Sequence, residues 1–522
     1  MIGNAKRVAG LVGFVVAALS LCAFARADDN FGAANGPLPG DVALYQKEQA
    51  CAEALKTPGY FQSINAAELA DAQRSGTYPC ATFAGSFDGS NQVYAWRSLD
   101  SYQAVSFINS RKPDELYLTG GDLPKISGTV APGPFVAKAD ATTGREIWRT
   151  YLDNVNVSRH WIAVENLNIL PNGNVVFAWS TFVTLIDGET GRTLRTTTLP
   201  TGPAAPVDTN FKHLTIAPDG TIILKDQLRP AGEMGQGAFA MIKGVQAGFK
   251  QANSIFVAVD PNRLEILDSI EMPETSTVPH SITTFEGKIA IYAAADVNAY
   301  RYFWDPATKK LSQDKSWVVP YVQPGQTVGT APSVMGDWIV INTNGAPPSK
   351  TKALSVVAIN QKDSSKVATI FPFGQLRPGG VSFAPPKTGS DAENNMVYAQ
   401  DLGVGKVAGI KLDPATGQMK TVFVVDDRTT CLVALIGPKD KRVMMTSNQH
   451  YDLPFEPMML ALGTGLYKEQ VRWRDAATGR LIAESDLMEP MSVNTAVTPG
   501  FGGRAYYPTD NGFVVLQLKA KM

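Results

Sequence analysis

The sequence predicts an all-β fold, an eight-bladed β-propeller behind a short N-terminal helical cap. Three observations predict it. One turn motif recurs along the chain at intervals of 45 to 73 residues. Each copy sits between two strand-like runs, and a second strand–turn–strand signal recurs upstream of it. Two hairpins per period make four strands, which is one propeller blade.

The chain has 522 residues, 44% of them hydrophobic and 18% charged, with a net charge of −1. That hydrophobic content supplies a packed core and excludes wholesale disorder. The near-neutral balance, without a basic run, argues against a nucleic-acid binder. Lys6 and Arg7 precede an apolar run from Val8 to Phe24, followed by Ala25-Arg26-Ala27. This pattern predicts a secretory signal over residues 1–27. Beyond it no apolar stretch is long enough to span a membrane. Losing Lys6, Arg7 and Arg26 from 47 basic residues, against 48 acidic ones, leaves the mature chain mildly acidic. An exported chain folds under oxidising conditions, in the periplasm or outside the cell. Cys51 and Cys80 are then the natural disulfide pair, closing a loop worth roughly 3 kcal/mol. Cys431 is left unpaired, either inert and buried or functional.

The cap is expected over residues 28–91. Its stretch from Ala43 to Leu69 is rich in Ala, Glu and Lys, which predicts one or two short helices on the propeller. The propeller is expected over 92–522. Its turns begin at Asp140, Asp187, Asp260, Asp305, Asn360, Asp413 and Asp475. Four copies read Asp-x-x-Thr-Gly: those at 140, 187, 413 and 475. The Asp carboxylate accepts backbone N–H groups and Gly supplies a positive φ. Upstream hairpins include Leu170-Pro-Asn-Gly-Asn-Val and Ile216-Ala-Pro-Asp-Gly-Thr. Blades are expected to start near Val105, His160, His213, His280, Thr330, Gly380, Cys431 and Asn494. The last has three strand candidates. Gln92-Val-Tyr-Ala-Trp96 can supply its fourth, closing the ring without an exposed edge. Residues 229–253 and 447–470 read as insertions, the usual seat of functional elaboration.

The tract Asp140 to Trp148 resembles the turn-and-tryptophan repeat of quinoprotein-like propellers, the eight-bladed architecture of PQQ-dependent alcohol dehydrogenases. The resemblance spans roughly residues 92–520, and only Trp148 follows its turn at the docking position. It implies either a dehydrogenase using pyrroloquinoline quinone (PQQ) or a noncatalytic scaffold of outer-membrane assembly. The adjacent Cys-Cys pair of the alcohol-oxidising members is not in this sequence, nor is a Cys-x-x-Cys-His haem site.

The four histidines are His160, His213, His280 and His450. Three of them stand at blade starts, where inner strands converge on the central channel. The expected active centre joins His160, His213 and His280 with Cys431. The imidazoles would serve as acid–base groups or as ligands of a transition metal, and Cys431 as thiolate. Arg159, Lys212 and His450 would bind an anionic or carbonyl-bearing small organic substrate. The structural alternative has each histidine bonded to a neighbouring carbonyl. Asp426-Asp427-Arg428 reads as a solvated turn or a calcium site, and Trp161 and Trp179 as packing aromatics. Function divides accordingly: an exported enzyme, redox as the resemblance implies or a lyase or hydrolase on the same residues, or a binding propeller holding a protein partner.

Overall fold

A computed structural model describes residues 36–121, 134–152, 167–233, 248–344, 353–376, 382, 388–429, 431–450, 467–492 and 496–520. The signal segment, Arg159, His160, Trp161 and the centres of both insertions lie outside the described residues.

Eight antiparallel sheets form the ring. Blade one comprises Phe107–Ser110, Glu115–Gly120, Phe135–Asp140 and Glu146–Tyr151. The inner strands of the next seven blades are Leu167–Ile169, Thr209–Ile216, Ser281–Phe285, Ser333–Met335, Gly389–Asp391, Ala434–Ile436 and Thr498–Gly500. The second and third strands of the blades are mostly buried on both faces, and several are nearly continuous apolar runs, such as Val175–Trp179 and Ile255–Val259. Asn91–Arg97 pairs antiparallel with Gly512–Ala520, from Asn91 opposite Ala520 to Arg97 opposite Val514. The strand expected to close the ring therefore does so.

The repeated turns follow their chemistry. Asp140 Oδ1 accepts the amides of Thr142 and Thr143, at 3.1 and 2.7 Å, and Gly144 has φ +69°. The glycine is also a docking surface for the preceding blade. A Cβ on Gly191 would lie 2.6 Å from Trp148, on Gly417 2.3 Å from Trp338, and on Gly479 2.5 Å from Phe423. The docking aromatic is thus not confined to Trp148. Trp338 reaches its turn from the second strand of blade five, Trp338–Asn344, and Phe423 from the outer strand of blade six, Met419–Val425. A linear motif cannot reveal a contact supplied from a different strand. Gly417→Ala is expected to lower unfolding free energy by about 2–4 kcal/mol, from left-handed strain and the Trp338 clash together. Urea denaturation checks it; a loss below about 0.5 kcal/mol would show that the turn relaxes freely.

One α-helix, α1 (Val42–Leu55), precedes the ring. Asp41 caps it, its Oδ1 3.0 Å from the Ala43 amide, and Lys56 ends it in the left-handed region. Buried Glu48 binds it to the propeller, accepting from Gly502 N at 2.7 Å and Thr82 N at 3.1 Å. Cys51 and Cys80 are joined by a disulfide. The rest of the N-terminal segment differs from the helical expectation. Residues 60–78 form no helix but follow the inner edges of the ring through a series of turns and single backbone contacts. Phe61 N donates to Ile169 O, Ser110 N to Asn65 O, Ile282 N to Ala72 O, Ser390 N to Ser75 O and Leu435 N to Gly76 O, all at 2.7–2.9 Å. Thr77–Tyr78 adds a parallel strand to blade seven. Inner strands present unpaired backbone groups toward the axis, and satisfying them outweighs helix propensity. Ala66, Ala67, Ala72, Ser75 and Gly76 are small enough for that close approach.

Candidate functional site

Arg74 holds this segment to the hub. It lies in the left-handed region with φ +55° and is buried. Its Nε donates to His280 O at 2.7 Å, and its Nη2 to Leu214 O at 3.1 Å and Thr215 Oγ1 at 2.9 Å. Nη1 pairs with the equally buried Glu68. Burial pulls the guanidinium down to about 10, opposed by Tyr60 and Asp71, so it stays charged at neutral pH.

Next to Arg74, the seam between blades three and four collects further polar groups. His213 lies within the strand Thr209–Ile216, directly across from Lys225 on Ile222–Leu228. His280 immediately precedes Ser281–Phe285, and its ring meets Phe256 edge to face at 5.3 Å. Both imidazoles are buried; among the described residues the His213 ring nitrogens have no hydrogen-bond partner, and the His280 ring lies against the Ile223 backbone. Burial pushes both well below the ordinary histidine value. Lys225, Lys212, Arg74 and His280 push His213 further down. For His280 Arg74 and Lys225 act the same way, with the Ile223 backbone opposing weakly. Both rings are therefore neutral at pH 7.

Lys225 is fully buried and makes no ion pair among the described residues. Its Nζ donates to the carbonyls of Asp226, at 2.6 Å, and Ser276. Burial lowers its pKa, and burial raises that of the neighbouring Asp226. Asp226 Oδ1 accepts from Ile255 N at 3.0 Å while Oδ2 has no partner. The sequence carries a signal for this pair that was not read: Lys225-Asp226-Gln227 interrupts an otherwise apolar run. In the middle of a propeller's second strand both faces are covered, so a charge placed there is buried.

Of the expected site residues, His213 and His280 are brought together on adjacent blades, with Lys212 beside His213. They are not at matched positions: His213 is inside its inner strand, and His280 stands before its own. The 3₁₀ turn Pro206–Asp208 and a bulge between Asn210 and His213 shift blade three. Cys431 and His450 belong to blade seven. Cys431 is buried, its Sγ accepting from Val497 N at 3.4 Å and facing Leu432 O at 3.3 Å. Burial pushes that thiol up to about 12, so it is protonated at neutral pH rather than a thiolate. His450 is half-buried, with Nε2 2.9 Å from Asn448 Nδ2. Asp427 is buried between Arg472, at 2.6 Å, and Arg474, at 2.7 Å, which occupy both carboxylate oxygens. Asp426 is exposed and pairs with Lys406. Trp179 is a core aromatic of blade two.

Among the described residues no group of three or more His, Cys, Asp or Glu is placed to hold a metal ion. The cavity between the 60–78 segment and blades one and eight measures about 10 Å³, room for a water and not for a fused ring system. Among the described residues no helix is long and apolar enough to cross a membrane.

No family model matches the chain, and no curated protein matches it. Solved structures do. The quinohemoprotein alcohol dehydrogenase from Comamonas testosteroni is 11% identical, with 92% of this chain and 85% of that one covered, at a TM-score of 0.50. BamB from Moraxella catarrhalis is 12% identical, with 82% and 99% covered, at 0.43. The computationally designed Ika8 protein is 13% identical, with 80% and 98% covered, at 0.47. At these identities the likeness is one of fold, the eight-bladed propeller.

Proposed function

We propose that this protein is an exported enzyme acting on a small organic molecule at the hub-facing seam between blades three and four. One observation carries the reading: two buried imidazoles, of which His213 has no hydrogen-bond partner among the described residues, beside a buried lysine whose only close acid is the buried Asp226 next to it in the chain. Each unpaired buried polar group costs about 1–3 kcal/mol. Such a cluster is a functional candidate because packing alone does not favour it. The neutral imidazoles can hydrogen-bond a substrate, and a substrate that brings negative charge into the seam would raise their basicity toward acid–base work. Burial brings Lys225 down to about 7, so it shares the neutral amine and ammonium forms near neutral pH, and in the charged form it can stabilise negative charge on a carbonyl or carboxylate oxygen. Arg74 and Lys212 favour the same substrate sign. These groups supply acid–base chemistry directly; the redox chemistry implied by the resemblance would use the same residues to bind and orient. The Cys51–Cys80 disulfide supports export into an oxidising compartment.

His213→Leu tests the reading without knowledge of the substrate. A side chain kept for chemistry at the expense of stability is improved by an apolar replacement of similar volume. The variant is expected to gain about 1–2 kcal/mol in denaturant unfolding. A loss above about 1 kcal/mol would make His213 a structural residue and overturn the proposal.

A second reading, a noncatalytic binding propeller, is favoured by one surface. Val367 and Phe371 on blade five and Val422 and Val424 on blade six are exposed along neighbouring outer edges. Under that reading His213→Leu leaves function intact, while Val422→Lys with Val424→Lys abolishes partner binding.

A further inference from the structure

Blade four carries an open groove of about 550 Å³ that runs from the end of its inner strand, at Phe285, to its outer strand, at Gln313 to Ser316, and is independent of the function proposed above. That volume is within the usual range for small-ligand sites. Its floor is built from the half-buried rings of Phe285 and Phe303 around Arg301. The guanidinium carbon of Arg301 stands 4.4 Å from the Phe285 centroid and 5.4 Å from that of Phe303. Arg301 cannot swing away. Its Nε and Nη2 donate to Asp314 Oδ2 at 2.9 and 2.7 Å, and its Nη1 donates to Gln361 O at 2.5 Å. Asp314 is in turn held by Ser316, whose Oγ donates to Oδ1 at 2.6 Å. The floor is therefore rigid and its one deep charge is neutralised.

The rim is different. Lys288 and Lys315 are exposed, line the groove and make no ion pair among the described residues; exposed Glu286 lines it too, so the rim carries two positive charges against one negative. Lys288 Nζ lies 5.2 Å over the Phe303 ring. A flat aromatic body suits the two phenyl faces, and an anionic substituent suits the two lysines. We propose that this groove is a binding site for a small aromatic carboxylate, its ring on Phe285 and Phe303 and its carboxylate between Lys288 and Lys315.

Calorimetric titration of the full mature chain with 4-hydroxybenzoate tests it, with benzyl alcohol as the uncharged ring and acetate as the ringless anion. One saturable site is expected, with both control compounds at least tenfold weaker. Lys288→Glu, on the surface and outside the packed floor, is expected to weaken 4-hydroxybenzoate at least tenfold. Phe303→Leu is expected to weaken it similarly while retaining a cooperative unfolding transition. Absence of saturation up to on the order of 10 mM, where binding would be too weak to be specific, would overturn the proposal. So would equal binding of benzyl alcohol or acetate, or unchanged affinity in Lys288→Glu.

Discussion

Replacing Arg74 with alanine is expected to remove about 3–5 kcal/mol of unfolding free energy, the scale for breaking a buried ion pair by deleting one partner. Arg74 and Glu68 are both buried, so the substitution leaves the Glu68 carboxylate without its cation in a site that excludes water. It also deletes donors to His280 O, Leu214 O and Thr215 Oγ1, which lie on the inner edges of blades three and four. Lys cannot substitute for the fork, because one ammonium cannot address four acceptors set around a plane. Arg74→Lys should therefore recover only part of the loss. Guanidinium denaturation of the two variants checks this. A cost for Arg74→Ala below about 1 kcal/mol would mean that the 60–78 segment is held by its backbone pairing alone.

Acid is expected to destabilise the protein through His213 and His280. Both are held below their unfolded value by burial first and by neighbouring cations second. The folded chain then binds fewer protons than the unfolded chain once the pH falls below the unfolded histidine pKa, about 6.5. Stability is fully present above that value and falls as the pH drops toward the lowered folded values. The slope reaches about 1.4 kcal/mol per pH unit for each histidine, so about twice that for both. Lys225 and Asp226 titrate in the same seam, with shifts of their own. Comparing the native chain with His213→Leu/His280→Leu separates the histidine contribution from theirs. Between pH 7 and 5 the double variant is expected to show a distinctly flatter loss of stability. Parallel curves would show that the two rings titrate normally in the folded protein.

The chemistry of the turns was legible in the sequence because it is local. An Asp that accepts the amides two and three residues on, and a Gly that takes a positive φ, act within five residues of chain, as at Asp140 to Gly144. Counting such units gave the blades, and an eighth blade one strand short pointed to Asn91–Arg97 as its missing edge. The Cys51–Cys80 pairing followed from counting thiols. The candidate site was half legible. His213 and His280 could be picked out because histidine is rare in this chain and recurs near blade starts. Their register could not, since a bulge and a 3₁₀ turn in blade three change the phase without changing the motif.

Taken alone, the sequence determined the blade count, the closing strand and the disulfide, because each rests on short-range turn chemistry or on counting. Only the tertiary structure decided that the expected helix ends at Leu55 and that residues 60–78 wind along the hub instead, since the inner edges that recruit them come from blades scattered from Ser110 to Leu435. It likewise decided that Cys431 is a protonated core thiol and that Lys225 is buried beside Asp226. Burial is a property of what surrounds a residue in space, and for these groups burial sets the protonation state.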